Sequence, residues 1–88
     1  MTKPHRLIDL SEEKEKKCDA LSKQVIKMIK NSEDVDFEIA FEAIIEILGY
    51  MSFLEVPSEE LDDTLLAINE VVKKNYERLV RTNYFGKT

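Results

Sequence analysis

The most apolar stretch of the chain decides its fold, and it reads Phe37-Glu38-Ile39-Ala40-Phe41-Glu42-Ala43-Ile44-Ile45-Glu46-Ile47-Leu48-Gly49-Tyr50-Met51. At the helical step of about 100° per residue, Glu38, Glu42 and Glu46 fall within a sector of roughly 80°, and apolar side chains fill most of the remaining circumference. A helix that is apolar over about two-thirds of its circumference packs between several neighbours rather than against one. The stretch is too short and too acidic to span a bilayer, which takes roughly 20 nearly uncharged residues. We therefore predict that it is the central helix of a small all-α domain.

Length and composition indicate one small helical domain. The 88 residues are 43% hydrophobic and 35% charged, and they include only two glycines and two prolines, too few for the turns of a many-stranded fold. The one cysteine, Cys18, excludes an intramolecular disulfide. The first residues lead into no long apolar segment, so we expect no signal peptide, no membrane span and a cytoplasmic protein.

Two polar breaks divide the chain into three helices. The link at 31–36 is short enough to make helices 1 and 2 an antiparallel hairpin, which brings the lysine-rich side of helix 1 near Glu38, Glu42 and Glu46. Pro57 ends the second helix, because it disfavours helical geometry at the residue before it. We predict a small three-helix bundle with helices at about 11–30, 36–53 and 59–83, a mobile N-terminal arm at 1–8, one helical domain at 9–84 and a C-terminal tail at 85–88.

Two details of the helices are open from the sequence. Gly49 ends helix 2 in the left-handed conformation or is carried through, and we favour continuation because the apolar pattern continues beyond it. Helix 3, at about 1.5 Å per residue, is near 37 Å long, the longest of the three. Its main apolar line is interrupted at Asn75 and consists of Leu61, Leu65, Ile68, Val72 and Leu79.

A second, minor apolar line on helix 3 has two interpretations. It consists of Leu66, Val80 and Tyr84, well off the main line. Scattered apolar residues are normal on a protein surface. Alternatively, the line is a self-association surface, because small helical domains often need a partner to bury enough area. The wide apolar circumference of helix 2 favours the homodimer.

Catalytic and metal-binding roles have little support in the sequence. The only histidine, His5, lies in the predicted arm, so the glutamates of helix 2 lack the Glu-x-x-His motifs of helical di-metal sites. Cys18 lies on the apolar side of helix 1, where a buried core thiol is expected rather than a nucleophile. The sequence contains no Gly-rich phosphate loop and no Cys-x-x-Cys pair. We expect no enzyme activity, no cofactor and no metal.

Charge is distributed in three blocks along the chain. Residues 1–30 carry net +3, residues 31–72 carry twelve Asp/Glu and no Lys or Arg, and residues 73–88 carry net +4. The basic C-terminal block has aromatic neighbours, a pattern found in nucleic-acid-binding proteins. The overall pI near 4.9 and the acidic block oppose phosphate binding, so we do not expect nucleic acid as a partner.

The acidic block provides the leading functional hypothesis. Apolar anchors ringed by charge of one sign suit the capture of a partner of opposite charge. We predict a non-enzymatic adaptor or regulator that binds a basic protein surface through the corner between helices 2 and 3. Alternatives are a structural homodimeric subunit and an immunity-type acidic inhibitor that blocks a nucleic-acid-binding site. The predicted partner-binding residues are Phe53, Leu54, Glu55, Val56, Glu59, Glu60, Asp62 and Asp63.

Overall fold

The computed structural model of the protein describes residues 3–82, and these residues form three α-helices and no β-strand. Helix α1 spans Glu12–Asn31, α2 spans Phe37–Glu55 and α3 spans Leu61–Thr82, with a 3₁₀ turn at Ser58–Glu60 directly before α3. This confirms the all-α class predicted from the sequence, with the helices of a small three-helix bundle. The predicted last residue of helix 3 and the predicted tail lie outside the described residues.

The chain divides into two compact units. One unit is Leu10–Glu55, which contains α1 and α2. Within the described residues, the other unit consists of residues 3–9 together with residues 56–82, which include α3. Residues 3–8, which the sequence assigns to a mobile arm, thus belong to the same unit as α3.

Helix α1 is stabilised by interactions between residues that are close in sequence. The Ser11 hydroxyl caps its N-terminus by accepting a hydrogen bond from the backbone N–H of Lys14 at 3.3 Å. Three glutamates in the first turn face the positive end of the helix dipole, where negative charge is favoured. Exposed ion pairs one turn apart join Glu12 to Lys16 at 4.0 Å and Glu13 to Lys17 at 3.3 Å. Pairs of this kind contribute only about 0.3–0.5 kcal/mol each.

Helix α2 has a well-defined start and no break at its glycine. The Asp36 carboxylate accepts a hydrogen bond from the Ile39 N–H at 2.9 Å, and the Asp36 carbonyl accepts one from the Ala40 N–H at 3.1 Å. The first bond satisfies one of the N–H groups that the first turn of a helix leaves unpaired, and the second is the first backbone hydrogen bond of the helix itself. The helix continues through Gly49 to Glu55, two residues beyond the predicted end.

Helices α1 and α2 do not pack along their lengths. The antiparallel hairpin that the short link predicts is therefore not confirmed. A short link permits a hairpin, but only matching apolar surfaces hold one together. Ala40, at 9% exposed, is the one buried residue among residues 3–82.

The N-terminal segment is held against α3 by a reciprocal pair of hydrogen bonds. The Asn75 side-chain oxygen accepts from the His5 N–H at 2.7 Å, and the Asn75 amide group donates to the His5 carbonyl at 3.0 Å. Leu7 and Ile8 of this segment are exposed. The side of α3 that contains Asn75 is half-buried, and its half-buried residues are Thr64, Ile68, Val71, Asn75, Arg78 and Leu79.

Candidate functional site

The apolar side chains of α2 form the largest uncovered apolar surface of the unit Leu10–Glu55. Eleven of them are between 38% and 81% exposed, and only the small Ala40 is buried. Phe37 and Phe41 stack on each other, with ring centroids 5.3 Å apart, at the start of the helix. The exposed residues are Phe37, Ile39, Phe41, Ile44, Ile45, Ile47, Leu48, Tyr50, Met51, Phe53 and Leu54.

The acidic row of α2 is unpaired within the described chain. Glu38, Glu42 and Glu46 are exposed, and no ion pair reaches any of them among residues 3–82. The pairing with the lysine-rich side of helix 1 that the hairpin implies is therefore not made by the described residues. The row consequently remains available to a charged partner.

The predicted partner-binding residues fall in both units. Phe53, Leu54 and Glu55 form the last turn of α2 and are exposed, and Phe53, at 81%, is the most exposed large apolar side chain in residues 3–82. In the other unit, Val56 is half-buried and the four predicted acids are exposed. The Ser58 hydroxyl donates to the Glu59 carboxylate at 3.3 Å, within the 3₁₀ turn. The four acids are Glu59, Glu60, Asp62 and Asp63.

The predicted self-association residues are exposed where the structure describes them. Leu66 and Val80 are both more than half exposed on α3, and Tyr84 lies outside the described residues. The periodicity predicts that Leu61, Leu65 and Val72 belong to the main apolar line of helix 3, but these three are also exposed. The half-buried side of α3 instead contains Asn75, which only its long-range bonds to His5 identify.

The described residues include one thiol. Cys18 is free and half-buried on α1. Within residues 3–82, no group of three or more His, Cys, Asp or Glu side chains is arranged to hold a metal ion. Across the same part of the chain, no helix is both long and apolar enough to cross a membrane.

Comparison with known proteins gives no relative: no protein-family model matches the chain, and neither a curated protein nor a solved structure matches it.

Proposed function

We propose that the protein is a non-enzymatic, cytoplasmic protein–protein interaction module, an adaptor or regulator that binds a partner with a basic surface. The observation that carries the proposal is the exposed apolar surface of α2. At about 200 Å² per large side chain, its eleven exposed residues leave on the order of 1,200 Å² of apolar area open. The largest apolar patch of a typical monomer is only about 300–600 Å². Removing such an area from water is the main driving force for association.

The acidic residues around this surface favour a partner with a basic surface. Residues 31–72 carry twelve acids and no Lys or Arg, so α2 offers no cation to an acidic partner. Its Glu38, Glu42 and Glu46 have no ion pair within residues 3–82. Opposite charge across an interface accelerates encounter and excludes wrong partners. A protein with lysines or arginines around an apolar groove fits these features.

We place the centre of the surface at the last turn of α2. Phe53 and Leu54 are exposed there beside Glu55, and aromatic side chains are the most frequent energetic anchors of interfaces. The four acids that follow in sequence, Glu59, Glu60, Asp62 and Asp63, are exposed within their own unit. They are proposed to attract the same basic partner. Exposed anchors contribute little to the isolated fold, so they can be replaced without unfolding the chain.

The test compares two phenylalanines at opposite ends of one helix. Partner protein is isolated with the tagged chain from its native host, and its affinity is then measured for the wild type, Phe53→Ala and Phe37→Ala. Both side chains are at least 74% exposed, so the two substitutions are matched in type and exposure. We expect Phe53→Ala to weaken binding by roughly 30-fold, the effect of losing about 2 kcal/mol at an anchor. Phe37 lies about 24 Å away at the far end of the same surface, and Phe37→Ala should change affinity by less than threefold, because most residues outside the centre of an interface cost less than about 1 kcal/mol when truncated.

Equal losses at the two positions, or binding that neither substitution weakens, would contradict the proposed centre. The charge component is tested separately by replacing the four acids with Gln or Asn, which preserves side-chain size. We expect slower association and a weaker dependence of affinity on salt, because exposed charges are screened over about 10 Å at 0.1 M salt. An unchanged salt dependence of the affinity would show that these four acids do not belong to the binding surface.

Self-assembly is a second candidate function. It is favoured by the exposure of Leu66 and Val80 on α3, in the unit that does not contain α2. A structural subunit of this kind binds its own copies and needs no other partner. An acidic inhibitor is distinguished by the captured partner itself, which would then bind DNA or RNA in competition with this chain.

A further inference from the structure

Helix α3 has an uncovered apolar line beside the side on which the N-terminal segment docks. The docked side centres on Ile68, Val71 and Asn75. A second line lies about 90° further around the helix, at 100° per residue. Its apolar members are between 36% and 60% exposed, and they are Leu61, Leu65, Val72, Tyr76 and Val80.

The spacing of this line is symmetric about its middle. With the exposed Asn69 included, successive members are four, four, three, four and four residues apart, so the pattern is the same from either end. A twofold axis that relates two antiparallel copies of α3 would set Leu61 against Val80, Leu65 against Tyr76 and Asn69 against Val72. Such an axis requires each surface to be complementary to itself, which a symmetric line provides.

The charges of α3 favour the antiparallel arrangement. Residues 58–70 carry five acids and no cation, whereas residues 71–82 carry four cations and one acid. An antiparallel pair places the acidic half of each helix beside the basic half of the other. A parallel pair would place acids beside acids, and like charges across an interface are strongly disfavoured.

The exposed area is sufficient for a stable dimer. The five residues of the line together with Leu66 expose about 600 Å² of apolar surface, at about 200 Å² per large side chain scaled by their exposed fractions. A standard interface takes about 800 Å² from each partner, of which roughly 60%, or about 500 Å², is apolar. One side of α3 therefore supplies the apolar area that such an interface requires.

We propose that α3 pairs in an antiparallel manner with α3 of a second copy of this chain, through the symmetric line from Leu61 to Val80. The apolar line differs from the α2 surface proposed to bind another protein, and the two proposals share only the acids that precede and begin α3. The proposal also changes which residues form the self-association surface. Its middle consists of Leu65, Asn69, Val72 and Tyr76, whereas Leu66 lies at its margin and Val80 at its end.

The test reverses charges on α3 and measures the oligomeric state of each variant from its molar mass in solution. One variant combines Glu59→Lys with Asp62→Lys, which changes the net charge of residues 58–70 from −5 to −1 and so removes most of their attraction to the basic half of a second copy. The other combines Lys73→Glu with Arg81→Glu, which makes both halves acidic. Each variant is measured by light scattering at a concentration at which the wild type is dimeric, with helix content checked by circular dichroism. A matched control, Glu33→Lys with Asp34→Lys, introduces the same charge change in the link between α1 and α2.

We expect the wild type and the control to dimerise and each exchanged variant alone to dimerise at least tenfold more weakly. An equimolar mixture of the two variants should regain a dimer, with one chain of each kind by native mass spectrometry. A wild type that stays monomeric at high concentration would overturn the inference. It would equally be overturned by exchanged variants that dimerise alone, or by helical variants that do not combine. A chain that binds its partner through Phe53 but stays monomeric refutes this inference and leaves the proposed function intact.

Discussion

Replacing Asn75 with alanine should release the N-terminal segment from α3 without unfolding the helix. The side chain makes two hydrogen bonds to the His5 backbone, at 2.7 and 3.0 Å. A hydrogen bond of this kind contributes a net of about 0.5–1.5 kcal/mol, so the pair holds the segment by about 1–3 kcal/mol. Since 1.4 kcal/mol is a factor of ten in an equilibrium constant, the released population should rise by roughly five- to 150-fold.

Two assays report this release. The His5 N–H donates to the Asn75 side chain, so its hydrogen exchange should accelerate by the same factor. The half-buried Arg6 should also become accessible to trypsin, which is measured by mass spectrometry of short digests. Asn69→Ala is the matched control, because Asn69 is an exposed asparagine on the same helix. Because Asn69 belongs to the proposed dimer interface, both variants are measured at a concentration low enough to keep the chain monomeric. Asn69→Ala raises the helix propensity by the same amount as Asn75→Ala. It should leave the hydrogen-exchange rate of the His5 N–H and the rate of trypsin cleavage at Arg6 unchanged.

Asn75→Asp separates the two bonds. The carboxylate retains an acceptor for the His5 N–H but has no donor for the His5 carbonyl. Release should therefore be intermediate between that of the wild type and that of Asn75→Ala. The reasoning is refuted if His5 exchange in Asn75→Ala matches that of the Asn69→Ala control.

Two further substitutions test the local structure of α2 by urea unfolding followed through circular dichroism. Asp36→Ala should lower the free energy of unfolding by about 1 kcal/mol, because the carboxylate caps the Ile39 N–H. Asp36→Asn should retain most of the cap. Equal losses in the two variants would contradict a capping role. Gly49→Ala should raise the free energy of unfolding by about 0.5–1 kcal/mol, because the helix continues through Gly49 and alanine is the better helix former. An added Cβ meets no heavy atom within 4 Å in the described part of the chain. A destabilised alanine variant would indicate a left-handed helix end at this position.

Local signals in the sequence predict the helices well. Ser11 has the side chain and position of an N-cap, and it caps α1 in the structure. The apolar residues after Gly49 favour a continuous helix, and α2 continues to Glu55. At Pro57 the chain leaves α2 and enters the 3₁₀ turn that leads into α3. These features depend on neighbours within about four residues, which a sequence pattern contains.

Contacts between distant residues are not predictable from the same signals. Asn75 interrupts the apolar line of α3, but its partner His5 lies 70 residues away along the chain. The periodicity shows that position 75 is unusual, but it cannot identify which backbone the amide binds. The half-buried side of α3 contains Asn75 and includes Val71 rather than Val72. This shift leaves Leu65 and Val72 exposed, although the sequence assigns both to the core.

The pairing of α1 with α2 could not be decided from the sequence for a related reason. A five-residue link fixes how far apart two helix ends lie, but it does not fix which apolar surfaces meet. The width of the apolar circumference of α2 was evident from its three glutamates. Whether α1, α3 or another molecule covers it depends on complementarity that one helix does not encode.

The central claim, that α2 is an uncovered binding surface, is tested most directly by the oxidation rates of two methionines. Met51 on α2 is 57% exposed and Met28 on α1 is 64% exposed. Peroxide converts exposed methionine to its sulfoxide at a rate that follows accessibility, which peptide mass spectrometry measures. For the free chain at low micromolar concentration, we predict equal rates within about twofold, and slower oxidation of Met51 alone once the partner is bound. A Met51 that is protected in the free chain, or that reacts equally fast in the complex, would contradict the account.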